Sequence, residues 1–165
     1  MPYSTIEKNI NGHHYSVSTY PATEALKIKY KLLSFIQPIL SDLLVANFGD
    51  VDIKDLSKED LMLLVVTALR QLLTQLGADD DKKINSLLDL IHRIFSTTKC
   101  DGQDLSNKVI FDNIFANNFV EMYDAIYLIL TINFKGFFLE IFTKFQSLTS
   151  SQNSKSQKSN QQLES

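Results

Sequence analysis

The sequence predicts a mainly α-helical protein, a multi-helix bundle with a small N-terminal β-hairpin and a disordered C-terminal tail. Three observations lead to this prediction: an Asn11-Gly12 turn between alternating segments, long segments with apolar residues every three or four positions, and a polar C-terminal stretch. The 165 residues are 44% hydrophobic and 21% charged, which is ordinary for one globular domain. We therefore predict one helical domain over residues 1–146 and a tail over residues 147–165.

The N-terminal hairpin is predicted at about residues 3–20. Asn-Gly tolerates the positive φ angles that a two-residue turn requires. Because polar and apolar residues alternate on both sides of Asn11-Gly12, we expect strands near residues 4–10 and 13–19. A second turn signal, Asp101-Gly102, predicts a small hairpin or an ordered turn over residues 97–105. We hypothesise that the two regions pair in one small sheet.

The first two helices follow from apolar periodicity and from signals at their ends. The first begins at Pro21, whose missing N–H costs nothing in a first helical turn, and continues to about residue 47. Pro38 lies inside it and removes a backbone hydrogen bond, so the helix is expected either to kink or to break. The second helix is predicted from about residue 58 to 76, with Ser57 accepting an amide hydrogen at its start and Gly77 ending it.

Three further helices are predicted before the tail. One begins at Asp79–Asp81 and ends near Ser96, a short one covers Val109–Asn118, and a long one runs from Phe119 to about residue 146. The last is apolar on more than one face, but charged and polar residues interrupt it, so we expect a buried helix rather than a membrane span. The tail is almost all Ser, Gln, Asn and Lys, which is typical of disorder.

No catalytic, cofactor or metal site is predicted. Neighbouring positions on a strand point to opposite faces, so the rings of His13 and His14 would not converge on a metal without ligands from elsewhere. Cys100 has only Lys99 beside it to favour a thiolate. The sequence contains no phosphate-binding glycine loop, nucleophile elbow or HExxH pair. We therefore expect a protein that is not an enzyme.

Charge and cysteine content limit the partners and the compartment. The formal net charge is -3 and the lysines are scattered, so we do not expect nucleic acid as a partner. The N-terminus has no basic segment followed by an apolar one, as a secretory signal would. A single cysteine fits a reducing compartment, and the cytoplasm is the expected location.

Phenylalanine is concentrated near the C-terminal end, where eight of the 11 lie between Phe111 and Phe145. A helix that is apolar beyond one face and is followed by a polar tail is typical of a protein with a hydrophobic surface for another chain, and self-association would give the same pattern. No single helical face holds all the aromatics, so some belong to the core. The candidate partner-binding residues are Phe134, Phe137, Phe138, Phe142 and Phe145.

The order of segments resembles the tail assembly chaperones of tailed bacteriophages, small helical proteins encoded next to the tape measure protein. The resemblance covers about residues 10–142. Its motifs are Asn11-Gly12-His13-His14-Tyr15, Tyr20-Pro21-Ala22, Thr97-Thr98, Asp101-Gly102, Phe111-Asp112-Asn113-Ile114-Phe115 and Ile132-Asn133-Phe134 with Phe137-Phe138. The last helix lacks the Trp that such proteins often carry, and the polar tail has no counterpart in the family.

The resemblance implies a chaperone that binds the tape measure protein, with tail tube subunits as a second partner. It implies action in the host cytoplasm until the tube polymerises, and absence from the mature virion. Two alternatives stay open: a structural tail component that polymerises through the Phe-rich helix, and another helical adaptor for protein–protein interactions. Neither involves a membrane or a cofactor.

Overall fold

The computed structural model describes residues 4–52, 55–75 and 80–134, together with residues 136, 137, 140 and 143. The predicted tail and the predicted cap at Gly77 lie outside these residues. The described part contains four strands and five helices, and the predicted fold class is confirmed. They are β1 (Thr5–Ile10), β2 (His13–Ser18), α1 (Ala22–Phe48), α2 (Lys58–Gln75), α3 (Asp81–Ile94), β3 (Thr98–Cys100), β4 (Gln103–Asp104), α4 (Lys108–Phe115) and α5 (Phe119–Phe134).

The four strands form one antiparallel sheet in the order β1-β2-β3-β4. Both predicted turns have the positive φ angles that their sequences favour: 50° and 89° at Asn11 and Gly12, and 50° and 79° at Asp101 and Gly102. Strand β2 pairs with β3, with Tyr15 opposite Cys100. The hypothesis that the two hairpin regions share one sheet is therefore correct.

Helix α1 is continuous through Pro38, so a break into two helices is the wrong alternative. Its buried stripe continues on both sides of the proline, with Ile28, Leu32 and Ile36 before it and Leu40 and Leu43 after it. This stripe faces α2 and α3. Pro38 itself is exposed, and the burial of the surrounding stripe offsets the one backbone hydrogen bond that the proline removes.

The predicted cap of α2 is confirmed and α3 begins within the predicted Asp79–Asp81 start, whereas one predicted helix end is wrong. Ser57 Oγ accepts from the backbone N–H of Asp60 at 3.0 Å, and Asp80 Oδ1 accepts from the N–H of Lys83 at 3.2 Å. Helix α4 ends at Phe115 rather than at Asn118. Asn118 instead accepts from the N–H of Glu121 at 3.3 Å and caps the start of α5.

Helix α5 lies in the middle of the structure and packs against α2, α3, α4 and β1. Ala125, Ile126, Ile129 and Leu130 on this helix are fully buried. This agrees with the predicted buried helix over its described part. By length and composition alone, α1 is the one described helix that is long and apolar enough to cross a membrane, and 22% of its apolar window is buried. Its buried residues face α2 and α3.

Candidate functional site

An open cleft with a volume of about 790 Å³ lies between the C-terminal end of α2, helices α3 and α4, and the start of α5. We call it the α3–α4 cleft. Most of its walls are apolar, and Thr74, His92 and Asp112 contribute polar groups at its edges. The apolar lining consists of Leu73, Leu88, Ile91, Phe111, Phe115, Ala116, Phe119, Met122 and Tyr123.

Phe111 and Phe115 form the floor of the cleft and belong to a cluster of three aromatic rings. Phe95, Phe111 and Phe115 are all buried, and their ring centroids are 4.9 to 5.3 Å apart in tilted and edge-to-face arrangements. Such pairs contribute stabilisation beyond the area that they bury. Because Phe111 and Phe115 lie four residues apart on α4, both rings are on one side of that helix, where they pack against Phe95 at the end of α3.

The rim of the cleft exposes apolar side chains to solvent. Phe119 is 60% exposed and Leu88 is 42% exposed. Val109 and Val120, which neighbour the cleft along the chain, are also exposed. Clustered apolar exposure of this kind marks surfaces that bind other chains, whereas single exposed apolar residues are ordinary.

His92 adds little charge to the cleft at neutral pH. Its ring meets that of Phe111 edge-on, with centroids 4.7 Å apart. Burial, reinforced by the nearby charge of Lys108, lowers the pKa of His92 below its usual 6.5. The neutral form is therefore favoured, and the cleft suits an apolar occupant.

The structure places the predicted partner-binding phenylalanines away from this cleft or does not describe them. Phe134 is buried in the core, with its ring 5.8 Å from that of Tyr20. Phe137 is half-buried, and Lys29 Nζ lies 3.4 Å from its ring centroid. Phe138, Phe142 and Phe145 lie outside the described residues. A role of these five residues in partner binding stays a prediction.

A second feature, which we call the polar cluster, joins the sheet to the start of α5. It consists of His13, Tyr15, Cys100, Asn118 and Glu121. Glu121 is only 1% exposed, and its Oε1 accepts a hydrogen bond from the Tyr15 hydroxyl at 2.6 Å and lies 2.6 Å from His13 Nδ1. The Asn118 amide donates to its Oε2. These bonds satisfy a carboxylate that would otherwise be costly to bury.

The two neighbouring histidines diverge, as expected for a strand. His13 faces α5, whereas His14 Nδ1 lies 3.0 Å from Asn9 Oδ1 and its Nε2 lies 3.7 Å from a carboxylate oxygen of Glu7. The hydrogen-bonding partner of His13 is Glu121, which lies 108 residues further along the chain, so no local sequence pattern predicts this contact. Hydrogen bonding to Glu121 raises the pKa of His13 above its usual 6.5.

Comparison with known proteins matches the chain to a protein family. A family model described as phage tail assembly chaperone protein, TAC, matches residues 11–150. No curated protein and no solved structure matches significantly. The matched range includes both the lining of the α3–α4 cleft and all of the polar cluster.

Proposed function

We propose that this chain, which belongs to the phage tail assembly chaperone family, binds the tape measure protein and keeps it soluble until the tail tube polymerises around it. Tail tube subunits are the second partner in this proposal. The chaperone acts in the host cytoplasm and is absent from the mature virion. It holds its client without catalysing a reaction, so release requires only that tube subunits compete for the same apolar segments.

The α3–α4 cleft is the surface that best suits such a client. An unassembled tape measure chain presents amphipathic helices, whose apolar faces bind in grooves through side chains spaced three, four and seven residues apart. A helix with its side chains is about 10–12 Å wide. The cleft volume of about 790 Å³ therefore accommodates side chains from one face of a helix rather than a whole helix.

The exposure of the rim predicts weak, reversible holding. Complete burial of a Phe or Leu side chain contributes about 1.5–3 kcal/mol. Phe119 and Leu88 are already about half-buried, so covering them would contribute roughly 1 kcal/mol each before the cost of association. Affinity must then come from several such contacts along the client, which fits a partner that is later displaced.

Co-expression with the tape measure protein from the same genome tests this proposal. The variants Phe119→Asp and Leu88→Asp place a charge on the rim, and Leu63→Asp is the matched control. Leu63 is 56% exposed, close to the 60% of Phe119, but it lies on α2 and does not line the cleft. We expect the tape measure protein to stay soluble and co-purify with the natural chain and with Leu63→Asp, and to precipitate with both rim variants.

Two other outcomes redirect the proposal. If Phe138→Asp and Phe142→Asp abolish co-purification while the rim variants do not, the client binds the C-terminal Phe residues instead of the cleft. If the tape measure protein precipitates with every form and the chain is found stoichiometrically in purified virions, the protein is a structural tail component. Circular dichroism of each variant separates loss of binding from loss of folding.

A further inference from the structure

We propose that His13, Cys100 and Glu121 form a binding site for one zinc ion. Their ligand atoms, an imidazole nitrogen, a thiol sulfur and a carboxylate oxygen, all lie within 4.8 Å of one another. These are the three side-chain ligand types that zinc uses in proteins. They come from β2, β3 and α5, so the ion would join three elements that are distant in the sequence.

The strand register brings these ligands to one face of the sheet. Residues two apart on a strand share a face, which puts His13 and Tyr15 on the same side of β2. Cys100 lies directly opposite Tyr15 on β3 and therefore shares that side. Helix α5 covers this face and supplies Glu121.

The nitrogen and oxygen ligands need only a small movement to admit the ion. Zinc lies about 2.0–2.2 Å from nitrogen and oxygen ligands, so two such ligands of a tetrahedral site are roughly 3.3–3.5 Å apart. His13 Nδ1 and Glu121 Oε1 are 2.6 Å apart. An opening of about 1 Å or less would replace their hydrogen bond by coordination. The His13 side chain is 43% exposed and leaves a route from solvent, where water can supply a fourth ligand.

The groups that orient the carboxylate are already in place. The Tyr15 hydroxyl donates to Glu121 Oε1, and the Asn118 amide donates to Oε2. Partners of this kind fix the direction of a ligand and contribute about 10–100-fold to metal affinity. Glu121 would thus keep its hydrogen bonds with Tyr15 and Asn118 when it binds zinc, and only its hydrogen bond with His13 would be replaced.

Binding would release protons. Zinc takes the thiolate of Cys100 and the neutral imidazole of His13. Zinc must therefore displace the thiol proton and, where the imidazole is protonated, its additional proton as well. Its affinity is expected to rise with pH.

The test uses the untagged full-length chain after treatment with a chelator. We expect calorimetry to give one zinc ion per chain. We also expect cobalt, as a substitute, to show a thiolate-to-metal charge-transfer band and the intense visible bands of a tetrahedral site. Cys100→Ser should remove the charge-transfer band and weaken zinc binding by at least about 100-fold, the upper end of what outer partners contribute. His14→Gln changes the histidine on the other face of the strand and should leave the charge-transfer band and the zinc affinity unchanged.

Any of three results would contradict the proposed zinc site: no one-to-one zinc binding at micromolar concentrations, unchanged zinc affinity in Cys100→Ser, or a loss of zinc affinity in His14→Gln equal to that in Cys100→Ser. If Cys100→Ser does not fold, His13→Gln provides the same test at a half-exposed position, where binding should again be lost. The measurement does not involve the tape measure protein. Its outcome is therefore independent of the proposed chaperone function.

Discussion

The change Tyr15→Phe tests the polar cluster with the smallest possible perturbation. The ring of Tyr15 is fully buried, and Phe fills nearly the same space, so the substitution removes a hydrogen bond with little change of packing. Hydrogen bonds to charged groups contribute about 1.5–3 kcal/mol. In a chain of this size, 1 kcal/mol corresponds to about 2–4 °C in Tm. We expect the Tm of Tyr15→Phe to fall by roughly 3–12 °C.

Thermal unfolding followed by far-ultraviolet circular dichroism, in the presence of a chelator, gives this shift without a contribution from metal. The matched control is Tyr30→Phe, which removes the same atom from a side chain that is 64% exposed. Its effect should stay within about 0.5 kcal/mol, the usual range for surface changes. If the two variants unfold at the same temperature, the Tyr15 hydroxyl does not stabilise the buried carboxylate of Glu121.

Three further predictions concern the cleft and its supporting helices. Phe115→Ala should lower the free energy of unfolding, measured with urea, by about 3–5 kcal/mol, because it removes a buried ring from the cleft floor. Phe119→Ala on the rim should lower it by less than about 1 kcal/mol. Asp80→Ala should lower the free energy of unfolding by about 1 kcal/mol, because it removes the cap of α3, whereas Asp80→Asn should retain most of the stability that the cap contributes. The folded state holds the pKa of His92 below 6.5, so the stability contributed by the neutral imidazole should be complete above pH 6.5 and be lost as the pH falls from 6.5 through the lower folded pKa. NMR titration, and the loss of this pH dependence in His92→Gln, check the sign.

The features that the sequence predicted correctly are those that depend on neighbouring residues. Both turns require positive φ at two positions, and Asn-Gly and Asp-Gly meet this requirement locally. The cap at Ser57 uses an amide within three residues, and α3 begins within the predicted Asp79–Asp81 start. These predictions needed no knowledge of the rest of the fold.

The predictions that were wrong or incomplete concern competition between local and distant interactions. Pro38 favours a break locally, but the stripe that α1 buries against α2 and α3 keeps the helix continuous. Asn118 suits the end of α4, yet its side chain caps α5 instead. The α3–α4 cleft combines side chains from four helices, and the bond between His13 and Glu121 joins residues 108 positions apart. Neither the cleft nor the polar cluster leaves a periodic signal in the sequence.

The first turn of α5 connects the α3–α4 cleft with the polar cluster. Phe119 lines the cleft, and Glu121, two residues later, points roughly 200° away around the helix, toward the sheet. The polar cluster therefore anchors the helix whose opposite side exposes the ring of Phe119 to solvent. The aromatic floor is already buried, so under the proposed function most of the binding energy would come from the rim. A buried floor beneath an exposed rim presents an apolar surface to solvent, as the proposed transient holding of an aggregation-prone chain requires.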